Sequence, residues 1–205
     1  MIEIIGTSHI SPDSIREVKE KLQTGRFDVV AVELDRKRLI SMEQEGKPTR
    51  ASMRNPVAGL ISRVQKFLSR KTGITPGSEM LTAVHEAERL KIPVSLIDRD
   101  ISETIRRIKD IPLLEKIKIG GYLLTGFITS KRLDFKLDEV PDEEMVEDLL
   151  GKFRIIFPET YNALIEERNV LMAEKIRYLE ERFGNVLTVV GAGHEPGLKE
   201  LLSEL

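Results

Sequence analysis

Residues 1–10, MIEIIGTSHI, and residues 185–197, NVLTVVGAGHEPG, carry the same short pattern at the two ends of the chain. Each is an apolar run that stops at Gly-x-x-His: Gly6 to His9 in the first, Gly191 to His194 in the second. An apolar run of this length, bounded by glycine, reads as a parallel strand buried on both faces. Glycine permits the tight turn that follows. The imidazole then projects at the strand's carboxyl end, where open α/β sheets place their ligands. Two of the chain's three histidines therefore occupy equivalent places, and the third, His85, does not.

Working outward, residues 27–35, FDVVAVELD, are apolar through the middle and then abruptly charged, with Glu33, Asp35, Arg36 and Arg38 at the end. Residues 92–97, IPVSLI, likewise run into Asp98, Arg99 and Asp100, with Pro93 acceptable at a strand's first residues. Strands are thus predicted at 2–6, 28–34, 93–97 and 186–190, each separated from the next by helix. Ser11 as N-cap and Pro12 at the first position open a helix to about Leu22, which Gly25 ends. Gly77-Ser78-Glu79 opens another, to about Leu90, with Glu79, Ala83 and Glu86 on one face and His85 off it. Helices follow at about 101–109, 112–119, 121–130, 142–152 and 158–183, the last with Leu164, Leu171, Ile176 and Leu179 as core residues. The expected fold is α/β: one domain over residues 1–205, a mostly parallel sheet with flanking helices, and a large helical insertion, about 101–183, before the last strand. Right-handed crossovers put every strand's carboxyl end on one edge, so His9, Glu33, Asp98, Arg99 and His194 are expected to converge there.

Composition narrows the chemistry. A formal net charge of -2 makes no general case for nucleic acid or membrane as a partner. With no cysteine, any metal must be held by nitrogen and oxygen. No basic n-region or small-residue cleavage site marks a signal peptide. The most apolar stretch, Ile111 to Ile128, carries Glu115, Lys116 and Lys118 and is split by Gly120 and Gly121, short of the roughly 20 apolar residues a span needs. Two segments are strongly charged. Gly46 to Ser78 holds seven basic and no acidic residues, which suits a helix with a solvated basic face, a lid, or a contact with anionic membrane. Asp134 to Asp148 holds eight acids and one lysine, a solvated turn and helix start.

Two imidazoles and a carboxylate make a three-ligand centre with an open position for water. His9, His194 and Glu33 are the expected ligands. A second carboxylate, Glu79 or Asp98, would serve as general base, and Arg36, Arg38 or Arg99 would stabilise a developing oxyanion. Zinc suits such ligands, and manganese or cobalt suits them equally. The plainer alternative is that both histidines only satisfy backbone groups at their turns. Competing motifs fail: His194-Glu195 opens an apparent HExxH but residue 198 is Leu, and Gly191, Gly193 and Gly197 mimic a dinucleotide fingerprint at the wrong spacing. Neither a P-loop nor a Gly-x-Ser-x-Gly elbow occurs.

The segments GTSHIS, VELDRKR, SEM-x4-HEAE, LIDRD, ERN-x2-MA and VVGAGH together resemble the TraB/PrgY family of pheromone-shutdown proteins, across essentially the whole chain. That family is related to the Tiki metalloproteases and, more distantly, to the erythromycin-esterase and ChaN-like fold. The resemblance implies a metal-dependent, peptidase-like site with His9, Glu33 and His194 at the matching positions and Arg36 or Arg38 nearby. Manganese or cobalt supports peptide cleavage in Tiki proteins. Where the family is expected to carry Glu-Arg-Asp, this chain has Glu167-Arg168-Asn169. Family members usually carry membrane helices as well, so the resemblance also implies a soluble domain with membrane association through segments absent from this chain. The expected function is a metal-dependent hydrolase acting on a peptide or protein. The alternative is a non-catalytic module that binds or sequesters a peptide, and an oligomer is left open in either case.

Overall fold

The computed structural model describes residues 1–7, 12–43, 78–129 and 143–203. His9, the basic helix expected near 57–68 and most of the acidic segment lie outside the described residues.

Four strands, β1 (Ile2–Thr7), β2 (Val29–Val32), β3 (Val94–Leu96) and β4 (Val186–Gly191), form one parallel sheet in the order β1-β4-β2-β3. The last strand in sequence is therefore central, between β1 and β2. Its pairing sets Thr7 opposite Gly191 and Val32 opposite Val189. Composition explains the order. All of VVAV in β2 and VLTVVG in β4 is buried, whereas β1 and β3 are only partly covered, as edge strands are.

Period-two alternation divides the apolar side chains between two layers. Val30, Val32, Leu187 and Val189 face one side, where α1 (Pro12–Gln23) brings Val18 and Leu22 and α3 (Ser78–Arg89) brings Met80, Ala83, Val84 and Ala87. Val29, Ala31, Val186 and Val190 face the other, against Met172, Ala173, Ile176 and Leu179 of α8 (Glu167–Phe183) and Leu198 of α9 (Glu195–Ser203). Glycines at positive φ, Gly25 and Gly184, end α1 and α8.

Between β3 and α8 run α4 (Ile101–Asp110), α5 (Leu113–Thr129), α6 (Glu143–Ile156), the single turn α7 (Pro158–Tyr161) and a π turn over Asn162–Glu166. The parallel sheet and the helical insertion agree with expectation. Four local readings do not. Gly120 and Gly121 do not divide α5, because helical hydrogen bonding outlasts the small propensity penalty of two glycines. Short α2 (Arg36–Glu43) and α9 were not anticipated. Leu164 and Leu171 are only partly buried, and Ala163, Met172 and Ala173 take core places instead, the π turn interrupting the regular 3.6-residue repeat. The face expected to unite Glu79, Ala83 and Glu86 splits: Glu79 and Ala83 are buried, while Glu86 pairs with Arg89.

Candidate functional site

All the described strands run parallel, and Glu33, Asp98 and His194 follow the carboxyl ends of β2, β3 and β4. Glu33 is the first residue past β2. Its amide continues the ladder by donating to Val189 O (3.0 Å), and its carboxylate Oε2 accepts from Gly191 N (2.7 Å). One side chain thus ties the ends of the two central strands. His194 closes the turn after β4, where its amide donates to Gly191 O (2.8 Å) and its carbonyl accepts from Leu198 N (3.0 Å) as α9 begins. That fixed backbone sets His194 Nε2 3.3 Å from Glu33 Oε1. Its other nitrogen, Nδ1, lies 2.6 Å from Asn169 Oδ1, so Nδ1 carries the hydrogen and Nε2 is left facing the carboxylate. Gly197 leaves room for the Asn169 amide, since a Cβ there would fall 2.4 Å from Nδ2.

Glu33 is also bound by Arg168, whose Nη2 meets Oε1. The same guanidinium grips Asp98 side-on, Nε to Oδ1 and Nη2 to Oδ2, both at 2.9 Å, and donates through Nη1 to Leu164 O inside the π turn. Burial by itself would raise the Glu33 carboxyl. His194, Arg168 and the Gly191 amide outweigh it and hold the group far below the usual carboxylate range. Burial likewise opposes the charge on Arg168, and Glu33 and Asp98 more than offset it.

The remaining nominated residues separate into groups. Asp98 accepts from Arg168 twice, from Arg38 Nη1 (3.1 Å) and from Arg99 N (2.8 Å), so both oxygens are fully engaged and the carboxylate anchors arginines. Arg99 turns away from the edge: Nε donates to Thr104 Oγ1 (3.0 Å), Nη1 to Glu167 Oε2 (2.8 Å) and Nη2 to Ala163 O. Its guanidinium is engaged in that network rather than with Glu33 or His194. Arg38, a third exposed, is the arginine of the cluster that also meets solvent, and Arg36 is exposed at the start of α2. Glu79 is buried with Oε1 3.4 Å from Thr7 Oγ1, at the end of β1 where the segment carrying His9 departs. His85 is exposed.

The first glycine has a different reason from the one expected. Gly6 lies within β1 and takes no positive φ. A Cβ there would stand 1.9 Å from Glu195 Oε2. Close approach of the residue after His194, rather than a turn, requires glycine.

Arg168 and Asn169 were not singled out as site residues, although they hold Glu33, Asp98 and His194. A signal existed: both lie in helical phase with the apolar stripe of Met172, Ala173 and Ile176, and a polar pair on such a stripe needs buried partners.

A divalent ion fits part of this arrangement. Glu33 and His194 offer an oxygen and a nitrogen facing each other, with Asn169 orienting the imidazole as second ligands do at metal centres. Among the described residues no group of three His, Asp or Glu side chains stands ready to hold a metal, and the third expected ligand, His9, is outside them.

The sequence profile of the TraB/PrgY/gumN family matches residues 1–205. The chain belongs to that family. It is 33% identical over 217 residues to an uncharacterized protein of Methanocaldococcus jannaschii, covering all of this chain and 54% of the relative. It is 25% and 23% identical to the TraB domain-containing proteins of Bos taurus and Homo sapiens, over 97% of this chain and 62% of each relative. The chain thus spans a little over half the length of these relatives.

Proposed function

We propose that the cluster at the sheet edge is the active site of a metal-dependent hydrolase of peptidase type, with His9, His194 and Glu33 holding the ion. The observation that carries this reading is the facing pair His194 Nε2 and Glu33 Oε1 at 3.3 Å. With Nδ1 donating to Asn169, Nε2 and the carboxylate are held face to face by a shared proton, through which His194 lowers the Glu33 carboxyl, and a cation taking that proton's place would meet one nitrogen and one oxygen. A bound divalent ion, manganese, cobalt or zinc, would polarise a substrate carbonyl and acidify water. The chain's own residues do the rest. Asn169 holds the imidazole through Nδ1 so that Nε2 faces Glu33, and Arg168 pairs with the Glu33 carboxylate. Arg38, anchored through one nitrogen on Asp98 and a third exposed, is the donor for a developing oxyanion. Glu79, buried beside Thr7, is the carboxylate we assign to the role of general base. The parallel sheet with its polar edge suits the erythromycin-esterase and ChaN-like fold that the family resemblance implies.

One observation favours a second reading. Glu33 already accepts from Arg168 and Gly191, so its charge is compensated without a metal. The polar sheet edge would then bind a peptide without cleaving it. Peptide-library cleavage by protein loaded with manganese, cobalt or zinc distinguishes the two. The first reading expects turnover that chelator abolishes and that His194→Ala lowers by roughly a hundredfold or more. Stoichiometric binding of intact peptide, indifferent to chelator, would support the second.

A further inference from the structure

The outer face of α5 is built the wrong way round for a helix bathed only in water. Leu113, Leu114 and Ile117 are 71%, 76% and 62% exposed. Its inward face is polar at the same level: the Glu115 carboxylate is buried and accepts from Thr160 N (2.7 Å), Thr160 Oγ1 (2.5 Å) and Glu159 N (3.3 Å), pinning the helix to the start of α7. Tyr122, 57% exposed, sets its ring edge-on to Phe157 at 5.3 Å and marks the border between the two faces.

At 3.6 residues per turn, Leu113, Ile117, Gly121 and Leu114 occupy one arc of about 100°. Lys116 lies about 60° beyond one side of it and Lys118 about 40° beyond the other. The preceding corner adds Arg106, Arg107 and Lys109, all exposed, of which Arg106 pairs with Glu103 at 3.4 Å and Arg107 with Glu167 at 3.1 Å; Asp110 lies beside them, and the exposed Lys116 donates to Lys109 O (2.6 Å). An apolar arc flanked by lysines, on a helix not long and apolar enough to cross a membrane, is the pattern of a segment that lies in the plane of a membrane surface. We infer that α5 docks this protein on an anionic lipid surface, the leucines and isoleucine entering the headgroup boundary and the flanking lysines meeting lipid phosphates. A protein partner would bury the same leucines but gives no reason for lysines on both flanks of the arc. This inference is independent of the proposed chemistry, since the residues it uses are not among those of the Glu33 cluster.

Sedimentation of the full chain with vesicles of phosphatidylcholine alone, or of phosphatidylcholine containing phosphatidylserine, tests it. The chain should pellet with the phosphatidylserine vesicles, less so as salt rises. Leu114→Asp should abolish pelleting, and Lys116→Glu with Lys118→Glu should reduce the bound fraction roughly tenfold or more. All three positions are exposed, so far-UV circular dichroism should match the wild type. Failure to pellet with phosphatidylserine vesicles would overturn the inference, and so would equal pelleting of wild type and Leu114→Asp. Self-association of the wild type that Leu114→Asp removes, without vesicle binding, would assign the face to a second copy and overturn it as well.

Discussion

At the scale of single residues, the stakes are highest at Arg168. It neutralises two buried carboxylates at once, so Arg168→Met would leave Glu33 and Asp98 short of a partner in a buried place. Breaking such an arrangement from one side typically costs about 3–5 kcal/mol, which urea denaturation would read directly. Asn169 should behave differently. Asn169→Ala leaves no buried charge unpaired but releases the imidazole, so on the metal reading it should weaken metal affinity roughly tenfold to a hundredfold, measured by competition with a chelating dye. Gly6 offers a test of geometry alone. Gly6→Ala forces a Cβ into Glu195 Oε2 and should destabilise the fold by about 1–3 kcal/mol, and part of that loss should return in the Gly6→Ala, Glu195→Ala double variant, which removes the carboxylate but keeps a Cβ 3.0 Å away. A glycine needed only for turn flexibility would show no such coupling. The two Gly-x-x-His motifs were legible because an apolar run ending in glycine and histidine is a local pattern. The reason for Gly6 was not, because Glu195 is 189 positions away.

At the scale of elements, strand positions and the location of the helical insertion follow from apolar runs and their charged ends, and the structure moves their bounds by only a few residues. Charge at the end of a strand is visible in sequence, but the direction of a long side chain is not. Arg38 and Arg99 looked equivalent, yet one stays at the sheet edge and the other folds back onto Glu167 and Thr104. Strand order is likewise hidden, since the central place of β4 depends on contacts between distant segments. In α5, Gly120 and Gly121 have open space where a Cβ would stand, so Gly120→Ala with Gly121→Ala should stabilise the protein by about 1–2 kcal/mol in denaturant titration. Glu115 gives α5 a pH-dependent anchor. Burial raises its carboxyl, but the hydroxyl and amide of Thr160 and the amide of Glu159 more than offset that, leaving it below the ordinary value of 4.5. A lowered carboxylate contributes stability that is present above the ordinary value and is lost as pH falls through the folded one. Acid titration of the wild type should therefore lose this contribution below about pH 4.5, and Glu115→Gln should show a shallower acid limb and cost about 2 kcal/mol near neutrality.

At the scale of the molecule, residues scattered from Glu33 to His194 meet because parallel strands joined through helices end at one edge. That convergence underlies the expected site, and the π turn and α8 supply the part the strands do not: Arg168 and Asn169 reach in from one face and join Glu33, Asp98 and His194 into a single polar network. The helical insertion reaches toward the same edge, with Leu150 of α6 3.9 Å from where a Gly193 Cβ would be, in the turn that precedes His194. Metal content of the whole chain by elemental analysis, after chelation and reloading with manganese, cobalt or zinc in turn, tests the account most directly. About one ion per chain is expected in the wild type and none in a folded His194→Ala variant. Equal metal in both proteins, or none in either, would contradict it.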